Sequence, residues 1–193
     1  YAEAEPLYQQ ALQIYQRLLG ESHSRVANCL NNLSGLYESQ GKYAAAEFHY
    51  RQSLDIYKNL FGEEHPSIAT SLNNLGNLYR MQARYAEAEP LFQQSLEMRQ
   101  RLLDKRHPHI ADSLNNLAVL YKTQGRYEEA ESLYQEALDR YQRIFGKESL
   151  YVAIGFGNLA ALYEIQGRYE EAEPLYLQSL DLKKRLLGEE HPY

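Results

Sequence analysis

Of the 193 residues none is tryptophan, one is cysteine and two are methionine. The lone Cys29 excludes an internal disulfide and fits a reducing compartment without demanding one. No stretch approaches the roughly 20 consecutive apolar residues of a membrane span, and none has the layout of a signal peptide. Neither sign of charge dominates. The 20 basic and 26 acidic residues give a formal charge of -6, mixed along the chain rather than blocked, so a phosphate-binding surface for nucleic acid is not expected. Also missing are a glycine-rich phosphate loop, a nucleophile elbow and the paired histidines of a metalloprotease. These absences point to a cytoplasmic, non-enzymatic chain that needs no cofactor and engages neither nucleic acid nor membrane.

What is present is repetition. A tyrosine returns every 42 residues, at Tyr1, Tyr43, Tyr85, Tyr127 and Tyr169, together with its neighbours. A period of this size describes one small unit stacked on copies of itself. Within a unit, Ala27, Leu30, Leu33, Leu36 and Tyr37 share one face of a first helix, A, and Tyr43, Ala46, Tyr50, Leu54 and Tyr57 share one face of a second, B. Gly41, Gly125 and Gly167 suit the left-handed residue that ends helix A, whereas Ala83 at the same place predicts strain or a different turn. Gly62 and its equivalents end helix B, and His65-Pro66 starts the next helix A, with Pro108 and Pro192 alike. Pro6, Pro90 and Pro174 fall early in helix B and predict curvature there.

The spacing lays the chain out as one repeat array over residues 1–193. It comprises helix B of one repeat over 1–19, complete repeats over about 24–61, 66–103, 108–145 and 149–187, and the start of another at 191–193. Neither end shows a polar capping helix, so a fragment of a longer array is expected, with terminal helices open to end-to-end self-association.

The pattern Leu33, Ser34, Tyr37, Gly41, Tyr43, Ala46, Tyr50, Ser53 resembles the tetratricopeptide repeat (TPR) signature. Leu-Asn-Asn-Leu at Leu30 to Leu33, Leu72 to Leu75 and Leu114 to Leu117, with Gly-Glu-Glu-His-Pro at Gly62 to Pro66, is similar to the kinesin light chain variety. The resemblance implies an all-α, right-handed superhelical solenoid of antiparallel helix pairs. It also implies that the A helices line a concave groove holding a peptide segment of a partner protein.

The groove face also follows from placing helix A residues at about 100° each and looking opposite the buried stripe. Asn28, Asn31, Asn32, Gly35, Glu38 and Ser39 fall there, then Thr70, Asn73, Asn74, Asn77, Arg80 and Met81, then Asp112, Asn115, Asn116, Val119, Lys122 and Thr123. An amide both donates and accepts, so a ladder of asparagines suits a bound backbone whatever its side chains. The Asn32, Asn74, Asn116, Asn158 row serves either the ligand or the scaffold. The Asn31, Asn73, Asn115 row is broken by Gly157, which favours ligand contact. Arg80 and Lys122 are candidates for a carboxylate or side-chain contact, on a face where Glu38, Asp112 and Glu164 leave no clear excess of either sign. This departs from the basic pockets of kinesin light chains.

Other conspicuous residues read as structural. Most tyrosines are assigned to packing, with Tyr15, Tyr57 and Tyr141 expected to be partly exposed. His23, His65, His107 and His191 belong to helix starts, and no metal site is assigned. Gly155 and Gly157 either mark a relaxed repeat, in which alanine would stabilise, or open the groove. Two functions are consistent with these features: a peptide-binding scaffold, and a self-association or spacer segment of a larger regulatory chain.

Overall fold

The computed structural model describes residues 4–188, so Tyr1 and the His191-Pro192-Tyr193 start lie outside the described residues. Within them are nine helices and no strand: α1 (Ala4–Leu19), α2 (Ser24–Ser39), α3 (Tyr43–Phe61), α4 (Pro66–Met81), α5 (Tyr85–Leu102), α6 (Pro108–Thr123), α7 (Tyr127–Phe145), α8 (Leu150–Ile165) and α9 (Tyr169–Leu187). They form two compact units, the first holding α1 to α5 and the second α6 to α9.

Pairing within a repeat is antiparallel. As α3 runs from Tyr50 to Tyr57, its hydroxyl partners on α2 run back from Glu38 to Asn28. The pair closes tightly because small residues face each other. Ser53 Oγ donates to the Ala27 carbonyl at 2.8 Å, Ser95 to Ala69 at 2.7 Å and Ser179 to Ala153 at 2.7 Å, each hydroxyl buried and satisfied. Gly76 takes the same logic furthest, since a Cβ there would stand 3.1 Å from the Phe92 ring. Around these contacts Ala27, Tyr57, Ile68, Ala69, Leu72 and Met98 form a buried cluster in the first unit.

The turns follow the sequence signals. Nδ1 of His23, His65 and His107 accepts the backbone N–H two residues on, capping α2, α4 and α6, and Ser149 Oγ caps α8. Ala83 adopts φ 57°, and Arg84 N–H returns to the Tyr79 carbonyl at 2.8 Å, so the third turn keeps the shape of its glycine counterparts and carries the strain.

Three expectations need correction. Tyr57 and Tyr141 are buried, not partly exposed, because each hydroxyl is satisfied by a side chain of its own helix A, Asn28 and Asp112. The recurring tyrosine, assigned to packing, is only half-buried at Tyr43, Tyr85 and Tyr127, and Tyr169 is 68% exposed. The two glycines of α8 also differ: a Cβ on Gly155 would lie 2.9 Å from Leu138 Cδ1, whereas one on Gly157 meets only Ser179 Oγ at 3.4 Å.

Ala83→Gly should therefore raise the unfolding free energy by about 1 kcal/mol, the left-handed penalty less the extra freedom of unfolded glycine. Chemical denaturation checks this, and an unchanged midpoint would remove the strain. In α8, Gly157→Ala should stabilise by up to about 1 kcal/mol through helix propensity. Gly155→Ala should gain less or lose, because Leu138 must give way; equal shifts in melting temperature would contradict the packing difference.

Candidate functional site

Successive helix pairs are tied by a repeated polar staple, and this sets which surface remains for binding. Tyr79 Oη donates to Glu47 Oε1 at 2.9 Å, Arg84 Nη1 bonds Glu47 Oε2 at 2.7 Å, and the Arg84 guanidinium lies 3.9 Å from the Tyr79 ring centre. In the second unit Tyr163, Glu131 and Arg168 repeat the arrangement at 2.9, 2.7 and 3.9 Å. At the first repeat Lys42 takes the arginine's place, 3.0 Å from Glu5 and 5.3 Å from the Tyr37 ring centre. The hydroxyls of the buried helix A tyrosines Tyr79 and Tyr163 are therefore bonded to carboxylates of the preceding helix B, rather than reaching water or a carbonyl.

The asparagine rows bond to each other. Asn74 Nδ2 donates to Asn31 Oδ1 at 3.4 Å and Asn158 Nδ2 to Asn115 Oδ1 at 2.7 Å, so one row supplies donors and the other acceptors in rungs between adjacent A helices. Asn73 is buried at 7% exposure and engaged, and Asn116 and Lys122 are engaged as well. Asn28 is exposed but accepts the Tyr57 hydroxyl. Arg80 is half-buried, with its Nε covered and without a hydrogen-bond partner. Among the ladder residues of the first unit, Asn32 and Asn77 keep their amides unspent.

These two amides belong to one cleft of about 370 Å³ in the first unit, lined by Tyr8, Asn31, Asn32, Gly35, Glu38, Tyr50, Asn74 and Asn77. Gly35 gives it depth, for a Cβ there would stand 3.6 Å from Tyr50 Oη. Glu38 Oε2 accepts that hydroxyl at 3.1 Å. Burial pushes the Glu38 carboxyl above its usual range, although the Tyr50 hydrogen bond and the positive Arg80 pull the other way. In the second unit Tyr176 Oη bonds Glu164 Oε2 at 2.6 Å, beside a cleft of about 290 Å³ that includes Tyr169, Glu173 and Leu177. Asn158 and Asn115 do not line that second cleft.

Sequence reasoning placed Asn31, Asn32, Asn74 and Asn77 on the cleft face and missed Tyr8 and Tyr50, which enter from the B helices. It also passed over Glu47 and Glu131, although the 42-residue recurrence of Glu5, Glu47, Glu89, Glu131 and Glu173 beside that of Lys42, Arg84, Arg126 and Arg168 was a readable signal. Among the described residues no group of three or more histidine, cysteine, aspartate or glutamate side chains gathers to hold a metal, and no helix is long and apolar enough to cross a membrane.

Matches to the tetratricopeptide repeat family cover residues 1–59, 49–101, 67–143 and 155–193. No curated protein matches the chain. Among solved structures, the crystal structure of BtubC (BKLC) from P. vanneervenii is similar with a TM-score of 0.81 and 23% identity, over 99% of this chain and 75% of that one. Two crystal structures of a Podosopora anserina protein, named for kinesin light chain and nearly identical TPR-like repeats, have TM-scores of 0.77 and 0.74. Both are 24% identical and cover 96% and 95% of this chain and 88% and 87% of their own. At these identities the likeness establishes a shared fold.

The staple makes stability depend on acid. Burial raises the Glu47 carboxyl, but hydrogen bonds from Arg84 and Tyr79 and the charges of Arg51 and Arg84 outweigh it and hold the group below its usual range. A carboxyl that ionises more readily folded than unfolded stabilises fully above the unfolded value, and the contribution is lost as pH falls through the folded one. Glu47→Gln should therefore destabilise at about pH 7 and converge on the wild type as pH falls through the lowered folded value. An equal deficit at neutral and acid pH, measured by denaturant titration, would contradict the charged staple.

Proposed function

Because the chain belongs to the tetratricopeptide repeat family, an all-α solenoid fold that generally serves as a non-enzymatic scaffold, we propose that it binds an extended segment of a partner protein. The binding surface is the polar cleft of the first unit. One observation carries this reading: Asn32 and Asn77 line the cleft with amides that no neighbour uses, while the asparagines around them are held by rungs. A primary amide presents a donor and an acceptor together, which matches a peptide backbone and makes few demands on its side chains. Asn31 and Asn74 line the cleft but are spent on their rung, and Asn28 and Arg80 lie outside its lining. In the second unit Asn115 and Asn158 form a rung, Asn116 and Lys122 are engaged, and all four are weaker ligand contacts.

The terminal helices support a second reading, self-association. Leu7, Ile14 and Leu18 of α1 are 65%, 52% and 67% exposed, and Tyr169 and Leu177 of α9 are 68% and 60% exposed. Apolar surface of this kind at a repeat end is covered when another helix stacks on it.

The test is selection from a displayed library of nine-residue peptides, followed by titration of the selected peptides against wild type and the double variant Asn32→Ala, Asn77→Ala. Loss of two neutral hydrogen bonds should weaken binding roughly tenfold or more, at about 0.5 to 1.5 kcal/mol each. The melting temperature should stay unchanged because neither amide bonds the scaffold. Equal affinities would remove the cleft from the function, and monomer-to-dimer change with concentration in scattering would favour the second reading.

A further inference from the structure

The cleft is neutral except at one point. Glu38 is the only formally charged side chain among the residues that line it. Its carboxylate accepts a single hydrogen bond, from Tyr50 Oη at 3.1 Å, and among the described residues it forms no ion pair. The paired carboxylates elsewhere in the chain behave differently: Glu5, Glu47 and Glu131 each meet a cation at 3.0, 2.7 and 2.7 Å. Glu38 is thus a half-buried carboxylate with one oxygen committed and the other left to the cleft.

Arg80, its counterpart one repeat on, does not complete the pair. It acts on Glu38 through space without a hydrogen bond, and its guanidinium is not part of the cleft lining. The counterpart in the second unit, Glu164, has the same tyrosine partner but stands exposed beside Tyr169 and Leu177, without asparagine amides around it. In the first unit the carboxylate shares its cleft with the unspent amides of Asn32 and Asn77.

Resting on the peptide-binding reading above, we propose that this cleft selects a segment carrying a lysine or arginine, whose cation pairs with Glu38 while the flanking backbone bonds Asn32 and Asn77. A carboxylate removed from water without a counter-charge is costly, and an arriving ammonium or guanidinium offsets that cost where a neutral side chain does not. An acidic side chain meets like charge and is rejected. Burial already pushes the Glu38 carboxyl upward, as expected of a group that lacks its counter-ion. The cation must approach from the side of Tyr8 and Asn31, since Arg80 repels it from the following repeat.

The experiment uses N-acetylated, C-amidated nine-residue peptides selected by the intact chain, each remade with lysine, glutamine or glutamate at every position. Binding is read by fluorescence anisotropy against wild type, Glu38→Gln and Arg80→Gln, with melting temperature as the fold control. One position should prefer lysine over glutamine by roughly tenfold, as for a charge-assisted hydrogen bond. That preference should vanish in Glu38→Gln, which retains an acceptor for Tyr50, and should grow in Arg80→Gln. If peptides bind and Asn32→Ala, Asn77→Ala weakens them, but Glu38→Gln does not change the lysine preference, the cation subsite is wrong and the groove reading stands. If no selected peptide is weakened by either variant, both are overturned.

Discussion

The carboxylate of helix B, held by a tyrosine hydroxyl and an arginine of the next repeat, is the interaction on which the rest depends. Glu47 is 18% exposed at its side chain, and its ionised form is sustained by Tyr79 and Arg84, which take one oxygen each, and by Arg51, 2.8 Å from Oε1. The arginine stacks on the same tyrosine, which fixes the turn after helix A to the helix before it. Three elements, the preceding helix B, helix A and the turn into the following helix B, thereby share one register. With the register set, consecutive A helices stand with Asn74 opposite Asn31 and Asn158 opposite Asn115, and the rungs form. The cleft consists of the polar surface left over once the staples and rungs are made.

A second pattern concerns the position after the asparagines. It is Glu38, Arg80, Lys122 and Glu164 through the repeats, and the facing residue of helix B is Tyr50, Phe92, Tyr134 and Tyr176. Where a carboxylate stands, a phenol donates to it at 3.1 or 2.6 Å. The two phenols respond in kind: burial and Glu38 push Tyr50 upward, and the Glu164 bond raises Tyr176 to about 12. Opposite Arg80 the hydroxyl is gone and Phe92 packs on Gly76 instead, whereas the repeat with Lys122 keeps a phenol, Tyr134. The groove face therefore changes polarity from repeat to repeat while the packing behind it is conserved in shape.

Helices, their starts and their stops were legible because they are local. Periodicity within about 18 residues places the buried stripe, and a glycine or a His-Pro step marks each boundary. Even the strain at Ala83 could be read, since one alanine broke a row of glycines. The asparagine face was legible as a direction but not as an inventory of free groups. Whether Asn31 or Asn115 is available depends on a partner 43 residues away, and the amide that bonds it looks the same in sequence as one that bonds nothing. Tyr57 and Tyr141 were misjudged for a related reason: a phenol late in helix B is buried only if helix A supplies an acceptor, and Asn28 and Asp112 do so across 29 residues.

The outer faces of α1 and α9 differ in what they ask of a helix stacked on them. Both described ends are B helices. The outer face of α9 presents Tyr169, Tyr176 and an exposed Glu173, the counterparts of residues that in α3 are covered by α4 or bonded by Tyr79 and Arg84. The outer face of α1 presents Leu7 and Ile14, whose counterparts in α5 are the half-buried Leu91 and the buried Met98. Each face is shaped for an A helix, with its small residues, its tyrosine and the arginine that follows. Setting α9 of one copy on α1 of another brings two B helices together, and leaves Glu173 without either donor. A carboxylate desolvated there without a partner offsets part of what burial of the exposed leucines contributes. The cleft of the first unit also holds a carboxylate, Glu38, but sets it among free amides that suit a backbone, so a segment bearing a cation offsets the penalty while its backbone bonds the amides.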